Sequence, residues 1–527
     1  MSRTPRAVAA LTLTAALVAT TGSAGAAADA SGEGPGRHGR RLGPVLTHTA
    51  QGPTGYTVTF RLSAPDAESV RIRGTWTFAS SESTSTDPAN SSPVAAARWR
   101  PGDFPLQSPN SPGENWAVAE MTEDPRTGVW SYTVPLPSGV FDYQFYADCD
   151  AAAGSVAGCT ATTDPVNPAW STTGSVVPFS QVYVPSDAAF GTVDRSWQAD
   201  APARSRGTLA EVVYETPNAT SGVNRAVVYT PPGYDEDREA PYPVFVLSHG
   251  GGENEMAWST RGRLAQVLDN LIARGEVQPM VVVMPDGSDL VREQYTTDVS
   301  DVLLPHVEQR YHVSGDAADR AFAGTSAFGT KANEFLFEQT EEFGYYGVWS
   351  PAAGAPPVTV TGQGDTPVDP AYTQPALQDV LGIHLAIGEQ DLGGNAPMLT
   401  TTTEREGLIN AGVPFTYFTE PGGHTWDFWR DALRDFLTRV AFRTTSTTLE
   451  EAGGAVVATV TAAGTPVARP TGTVRFLVDG VEVGGPVRLQ DGRAELREHS
   501  GGEVTAVYSG DANFNASTSA DAPTGAS

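Results

Sequence analysis

Apolar and polar positions change their rhythm twice along this chain. From about residue 43 to 185 they alternate in short runs, as in Val58-Thr59-Phe60-Arg61-Leu62 and Val70-Arg71-Ile72-Arg73. Successive strand side chains point to opposite faces, so the alternation predicts half-buried strands. The turn residues between the runs predict an all-β sandwich. "GVWSYTVPLPSGVFDYQFYAD" reads as two strands around a turn at Pro137-Ser138-Gly139. From 206 to 443 the runs become continuously apolar. "YPVFVLSHGGG", "PMVVVMPDG", "DRAFAGTSAF" and "IHLAIGEQD" read as strands, and "GRLAQVLDNLIARG" as an amphipathic helix. "DVLLPHVEQRYHV" is a helix with Pro305 in its first turns. Strands without polar alternation need cover on both faces, which predicts a mostly parallel sheet between helices. After Thr444 short Thr- and Val-rich strands return, such as "GAVVATVTAAG" and "PTGTVRFLVDGVEVG", and predict a second all-β unit over 444–527. The Asp-, Ser- and Ala-rich stretch 186–205 reads as a linker.

The N-terminus changes the picture. Arg3 and Arg6 precede an apolar run of about 14 residues, then "SAGAAADA" with small residues at an Ala-x-Ala site. A basic start, a short apolar core and a small-residue site predict a signal peptide over 1–28. The run is too short to span a bilayer, which takes ~20 residues. Residues 29–42 are polar and Gly-rich, a flexible leader. The expected mature chain is secreted and holds no membrane segment. Only Cys149 and Cys159 are present; in an exported chain they predict a local, structural disulfide. Lys and Arg number 33 against 61 Asp and Glu, a net charge of −28, and the one lysine is Lys331. No basic block could track a phosphate backbone, so nucleic acid is not an expected partner.

The candidate chemistry lies in the middle segment. "AFAGTSAFGTK" nearly forms the G-x-S-x-G elbow that exposes a serine between a strand and a helix, with Gly324 and Ser326 in place and Phe328 where the second glycine belongs. The elbow is crowded, so Phe328 is expected to strain it, to point away from Gly324 and to narrow an acyl pocket. Gly329 offers relief one residue later. In this fold the acid and the base follow the serine in the chain. Only His384, His424 and His499 follow Ser326. His384 lies within a strand and His499 in the C-terminal unit, which leaves His424 in the loop "EPGGHTWDFWRD". Asp391 in "GEQD" is the candidate acid, with Glu389 as the alternative. His249-Gly250-Gly251-Gly252 follows a strand, as an oxyanion loop does, and would offer Gly251 N–H beside that of Ala327; His249 would brace the loop. The mechanism needs no metal and no cofactor.

Three resemblances add to this reading. "VYTPPGYD", "LSHGGGENEMAWSTRGRLAQVLDNLIARG", "DRAFAGTS", "FGYYGVWSPA", "GEQD" and "PGGHTWDFWRDAL" make residues 206–443 resemble the esterase D family, which includes feruloyl, acetyl-xylan and enterochelin esterases and mycolyltransferases. That resemblance implies Ser326, Asp391 and His424 as a catalytic triad. The family commonly has Met-Gly-Gly after its serine, where this chain has Ala327-Phe328-Gly329. "VTFRLSAPDAESVRIRGTW", "DPRTGVWSYTVPLPSGVFDYQFYAD" and "TDPVNPAW" make 43–185 resemble early-set immunoglobulin-like modules related to carbohydrate-binding family 48. Its Trp76, Trp130 and Trp170 could stack on sugars, though core packing is the plainer reading. "PTGTVRF" and "AVYSGDANF" make 444–527 resemble bacterial immunoglobulin-like repeats. The expected architecture is multidomain: a central α/β-hydrolase flanked by two all-β immunoglobulin-like sandwiches. The expected activity is serine ester hydrolysis on an acylated polysaccharide, feruloyl or acetyl xylan above all, or on a small ester. An acyltransferase using a sugar acceptor is the alternative within the same chemistry, and a degenerate binding protein is the alternative outside it.

Overall fold

The computed structural model describes residues 42–83, 93–106, 116–149, 152, 154–169, 179–290, 294–352, 370–391, 397–452, 454–464, 469–497, 501–520 and 522–523. The expected signal peptide, the leader as far as Arg41, Trp170 and His499 lie outside the described residues. Among the described residues no helix is long and apolar enough to cross a membrane.

Among the described residues eight strands form the central sheet. They are β1 (Thr208–Glu215), β2 (Val223–Thr230), β3 (Val244–Ser248), β4 (Val281–Pro285), β5 (Arg320–Thr325), β6 (Tyr345–Trp349), β7 (Gly382–Ala386) and β8 (Thr416–Phe418). Their order is β1-β2-β4-β3-β5-β6-β7-β8. The first two join antiparallel, and every pair from β4 onward is parallel. The apolar runs explain the burial. Phe245, Leu247, Ala321 and Ala323 face one core with helices α1 (Leu264–Ala273) and α4 (Trp426–Arg439). Their neighbours Val244, Val246 and Phe322 face a second core with helix α2 (Ala327–Glu338), and Leu408 of α3 (Pro397–Ala411) joins it. Pro305 stands in the first turn of a short helix, Leu304–Glu308, which continues a π-helical turn over Val299–Leu303.

Toward the N-terminus, among the described residues, a four-stranded and a five-stranded sheet enclose a core that includes Val58, Phe60, Ile72, Phe141 and Tyr143, and a small three-stranded sheet adds Phe78 to it. Trp76 and Trp130 are 2% and 7% exposed; Trp76 stacks on Phe60, and Trp130 Nε1 donates to the Ala64 carbonyl, so both belong to that core. The strands Val129–Pro135 and Gly139–Ala147 flank the expected turn but do not pair with each other. The first pairs with Tyr56–Ser63 in one sheet, and the second pairs with Val70–Gly74 in the other. Pro137-Ser138-Gly139 is therefore a corner between sheets. Cys149 and Cys159 form a disulfide. Toward the C-terminus, two further sheets enclose Val460, Val474, Phe476 and Tyr508.

The stretch 186–205, read as a linker, is a packed strap of 3-10 turns. Trp197 inserts into the core shared by α1 and α4, and Asn270 Nδ2 donates to the Trp197 and Ala199 carbonyls. The C-terminal unit joins the opposite end of the central sheet. Arg443 Nη1 donates to the Glu276 carbonyl, and Thr444 Oγ1 to that of Leu381, ahead of β7.

Candidate active site

Ser326 stands between β5 and α2 with φ +54° and ψ −118°. A non-glycine residue with positive φ carries strain that its surroundings must hold. They do: Ser326 N–H donates to the Trp349 carbonyl at 3.0 Å, and the Ser326 carbonyl accepts from Ala352 N–H at 3.0 Å. The close packing at this turn falls on Gly324 and Gly329. A Cβ on Gly324 would stand 2.1 Å from the Phe328 carbonyl oxygen, and one on Gly329 would stand 2.8 Å from that of Trp349. The residue that must be small is thus the third after the serine. The expected crowding at Phe328 does not arise, because its ring, on the first turn of α2, packs on His249 and Tyr295, with centroids 4.6 and 4.7 Å away. Gly287 leaves room for that ring.

The Gly-rich loop reaches this turn directly. A Cβ on Gly250 would lie 3.7 Å from that of Ser326, and one on Gly251 3.4 Å from that of Ala327. Ala327 opens α2, where a helix leaves its first N–H groups without intrahelical partners. His249 is buried. Its Nε2 accepts from Gly287 N–H at 3.1 Å, so its Nδ1–H donates to the Gly250 carbonyl at 2.7 Å. Both ring nitrogens are engaged, and burial lowers the imidazole pKa, which suits a brace.

Asp391 follows β7 and is fully buried; its Oδ2 lies 2.9 Å from His424 Nδ1, while its Oδ1 has no hydrogen-bond partner among the described residues. Glu389, the alternative acid, is exposed, and its backbone N–H donates to the Glu420 carbonyl. The two loops are laced together. Gln390 N–H donates to the Gly422 carbonyl, Gly422 N–H donates to Gln390 Oε1, and Gly388 has no room for a side chain against Gly422. The His424 ring meets Trp429 edge-on at 4.9 Å, and Trp429 Nε1 donates to Ser350, the neighbour of the residue that holds Ser326 N–H. His384 is the buried strand histidine that its setting suggested. Its Nδ1 accepts from Trp349 Nε1, so its Nε2–H donates to Asp435, and burial lowers its pKa.

One residue of this site carried no signal in the sequence. Glu253, 1% exposed, accepts from Gly250 N–H at 3.1 Å and from Trp426 Nε1 at 2.9 Å. It ties the Gly-rich loop to the start of α4, two residues beyond His424. Burial raises its carboxyl pKa, opposed by Arg261, the Gly250 N–H, Trp426 and His424.

A serine on a strained strand-to-helix turn, in a sheet of this order, defines the α/β-hydrolase class. Residues 218–440 match the family described as "Putative esterase", and residues 442–524 match the bacterial Ig-like domain (group 3). The central domain is therefore similar to the former family and the C-terminal one to the latter. An endo-1,4-beta-xylanase/feruloyl esterase of Xylanibacter ruminicola is 31% identical over 159 residues, covering 28% of this chain and 22% of its own. Endo-1,4-beta-xylanase Y of Acetivibrio thermocellus is 32% identical over 137 residues, covering 24% of this chain and 12% of its own. The chain therefore spans less than a quarter of either relative. Among solved structures, the enterobactin esterase of Shigella flexneri aligns at 18% identity and a TM-score of 0.46, over 76% of this chain and 96% of that one.

Proposed function

We propose that the chain is a secreted serine carboxylic-ester hydrolase acting on acylated polysaccharide, with feruloyl or acetyl esters of xylan as substrates. Ser326 Oγ attacks the ester carbonyl while His424 Nε2 takes its proton. Asp391 holds Nδ1–H, fixes the tautomer and stabilises the imidazolium that forms. The N–H groups of Gly251 and Ala327 receive the developing oxyanion, each such donor being worth ~3 kcal/mol. His424 then protonates the leaving alkoxide, and an acyl-Ser326 ester remains. Water attacks that ester by the same steps in reverse, which returns the free acid and the serine.

The observation that carries the reading is the pairing of a buried Asp391 with His424, taken together with a serine held at positive φ in the turn after β5. The names of the two xylanase relatives support the choice of polymer, and the sequence of the N-terminus supports secretion. The test is a panel of p-nitrophenyl acetate, methyl ferulate and acetylated xylan, run with wild type and Ser326→Ala. Wild-type turnover that disappears in the variant is the expected result. Equal turnover by both would place the nucleophile elsewhere.

A further inference from the structure

We propose that Asp142, in the N-terminal sandwich, is a positioning residue for this site: through Arg261 and Glu253 it sets the Gly250–Gly252 loop and the start of α4. The inference rests on the triad reading above.

Asp142 lies on the strand Gly139–Ala147 and is 3% exposed. A charge so far from water needs partners in good geometry. Its Oδ1 accepts from Gln181 Nε2 at 2.8 Å, and its backbone is locked on both sides by Thr75. Its Oδ2 accepts from Arg261 Nε at 3.1 Å, across 119 residues of chain. Arg261 is equally buried, with its guanidinium 5.5–5.9 Å from the ring centroids of Trp116 and Phe179 of the sandwich and of Trp426 of α4. Its Nη1 reaches Glu253 Oε1 at 3.5 Å, and its carbonyl accepts from Arg430 of α4. Glu253 in turn receives Gly250 N–H and Trp426 Nε1.

The end of this chain of contacts separates it from ordinary interface adhesion. The nearby pair of Arg263 with Asp200 joins the strap to the central domain without touching the loop. The Asp142 chain ends on a backbone N–H of the loop itself. The Gly250 N–H bond orients the loop just before the peptide that carries Gly251 N–H, and so aims the proposed oxyanion donor. A donor aimed in advance acts on the transition state and not on the bound ester, so its disturbance lowers kcat and leaves KM in place.

The experiment uses the full chain with Asp142→Asn, Asp142→Glu and the control Asp200→Asn. Its readouts are kcat and KM on p-nitrophenyl acetate and hydrogen–deuterium exchange of peptides spanning 248–256. Asp142→Asn is expected to lower kcat by about tenfold to a hundredfold, the cost of a shift approaching 1 Å. KM should stay within about twofold and exchange over 248–256 should rise. Asp142→Glu should recover part of kcat, and Asp200→Asn should match wild type. If Asp142→Asn does not fold, Glu253→Gln takes its place with the same expected kcat-selective loss. Wild-type kcat and wild-type exchange in the folded variant would overturn the proposal, as would a raised KM at unchanged kcat. If wild type hydrolyses no ester and resists a fluorophosphonate, the triad reading fails by itself. Exchange over 248–256 then decides the positioning claim, unchanged protection refuting it.

Discussion

Replacing Gly324 by alanine disturbs the elbow while leaving every proposed catalytic side chain in place. The added Cβ would stand 2.1 Å from the Phe328 carbonyl oxygen and 2.5 Å from its carbon, where ordinary contact begins at 3.4 Å. Both obstacles are backbone, so no side chain can rotate away, and the first turn of α2 must retreat by about 1.3 Å. Gly324 itself does not have positive φ, so the cost is steric and not conformational. That turn carries Ala327 N–H and the peptide after Ser326. A displacement near 1 Å costs on the order of 10²-fold in rate, or ~2.7 kcal/mol of activation free energy. Overpacking should also cost ~1–3 kcal/mol of stability. The assay is kcat on p-nitrophenyl acetate beside a thermal melt of the same preparation. A variant with kcat within about threefold of wild type and an unchanged Tm would refute the claim that the elbow's backbone is close-packed at Gly324.

Three further outcomes are expected. Phe328→Gly should lower Tm and kcat, because the ring supports His249 and Tyr295; a faster enzyme with a broader acyl range would restore the idea that Phe328 crowds the site. Glu404 is buried with its Oε2 on Asn333 Nδ2, and burial pushes its pKa up from 4.5 to about 8. Between those values the folded state keeps a proton that the unfolded state has lost, so stability falls as pH rises, by about 1.4 kcal/mol per unit at most. Glu404→Gln should remove that slope, and its Tm advantage over wild type should grow from pH 5 to pH 8; an equal difference at both would contradict the assignment. Deleting 444–527 should leave kcat on a small ester within about twofold, since that unit joins the end of the sheet away from Ser326, and a large loss in a folded protein would show that it completes the site.

The sequence made legible whatever leaves a local trace. Continuous apolar runs marked the strands of the central sheet, and the order of Ser326, Asp391 and His424 singled out residues that two laced loops and one elbow hold in place. Glu389 lay two residues from Asp391, and only the fold separates the buried carboxylate from the exposed one. Phe328 was misjudged because a motif counts positions, whereas crowding depends on how the helix leaves the strand, and here the tight contact moves to Gly329. The strap was misjudged because composition averages over Trp197 and Asp200, side chains that anchor it. The corner at Pro137-Ser138-Gly139 looks like a hairpin turn because strand pattern does not say which sheet receives each strand. Asp142, Arg261 and Glu253 left no pattern, since pairing across 119 residues of chain has no periodicity to read.

The central claim is that Ser326 is an activated nucleophile. Its most direct test is labelling by a fluorophosphonate, with the modified peptide identified by mass spectrometry in wild type, Ser326→Ala and His424→Ala. One phosphonylated residue, Ser326, is expected in wild type, with no labelling of Ser326→Ala and strongly slowed labelling of His424→Ala. A label on another residue, or none on the folded wild type, would contradict it.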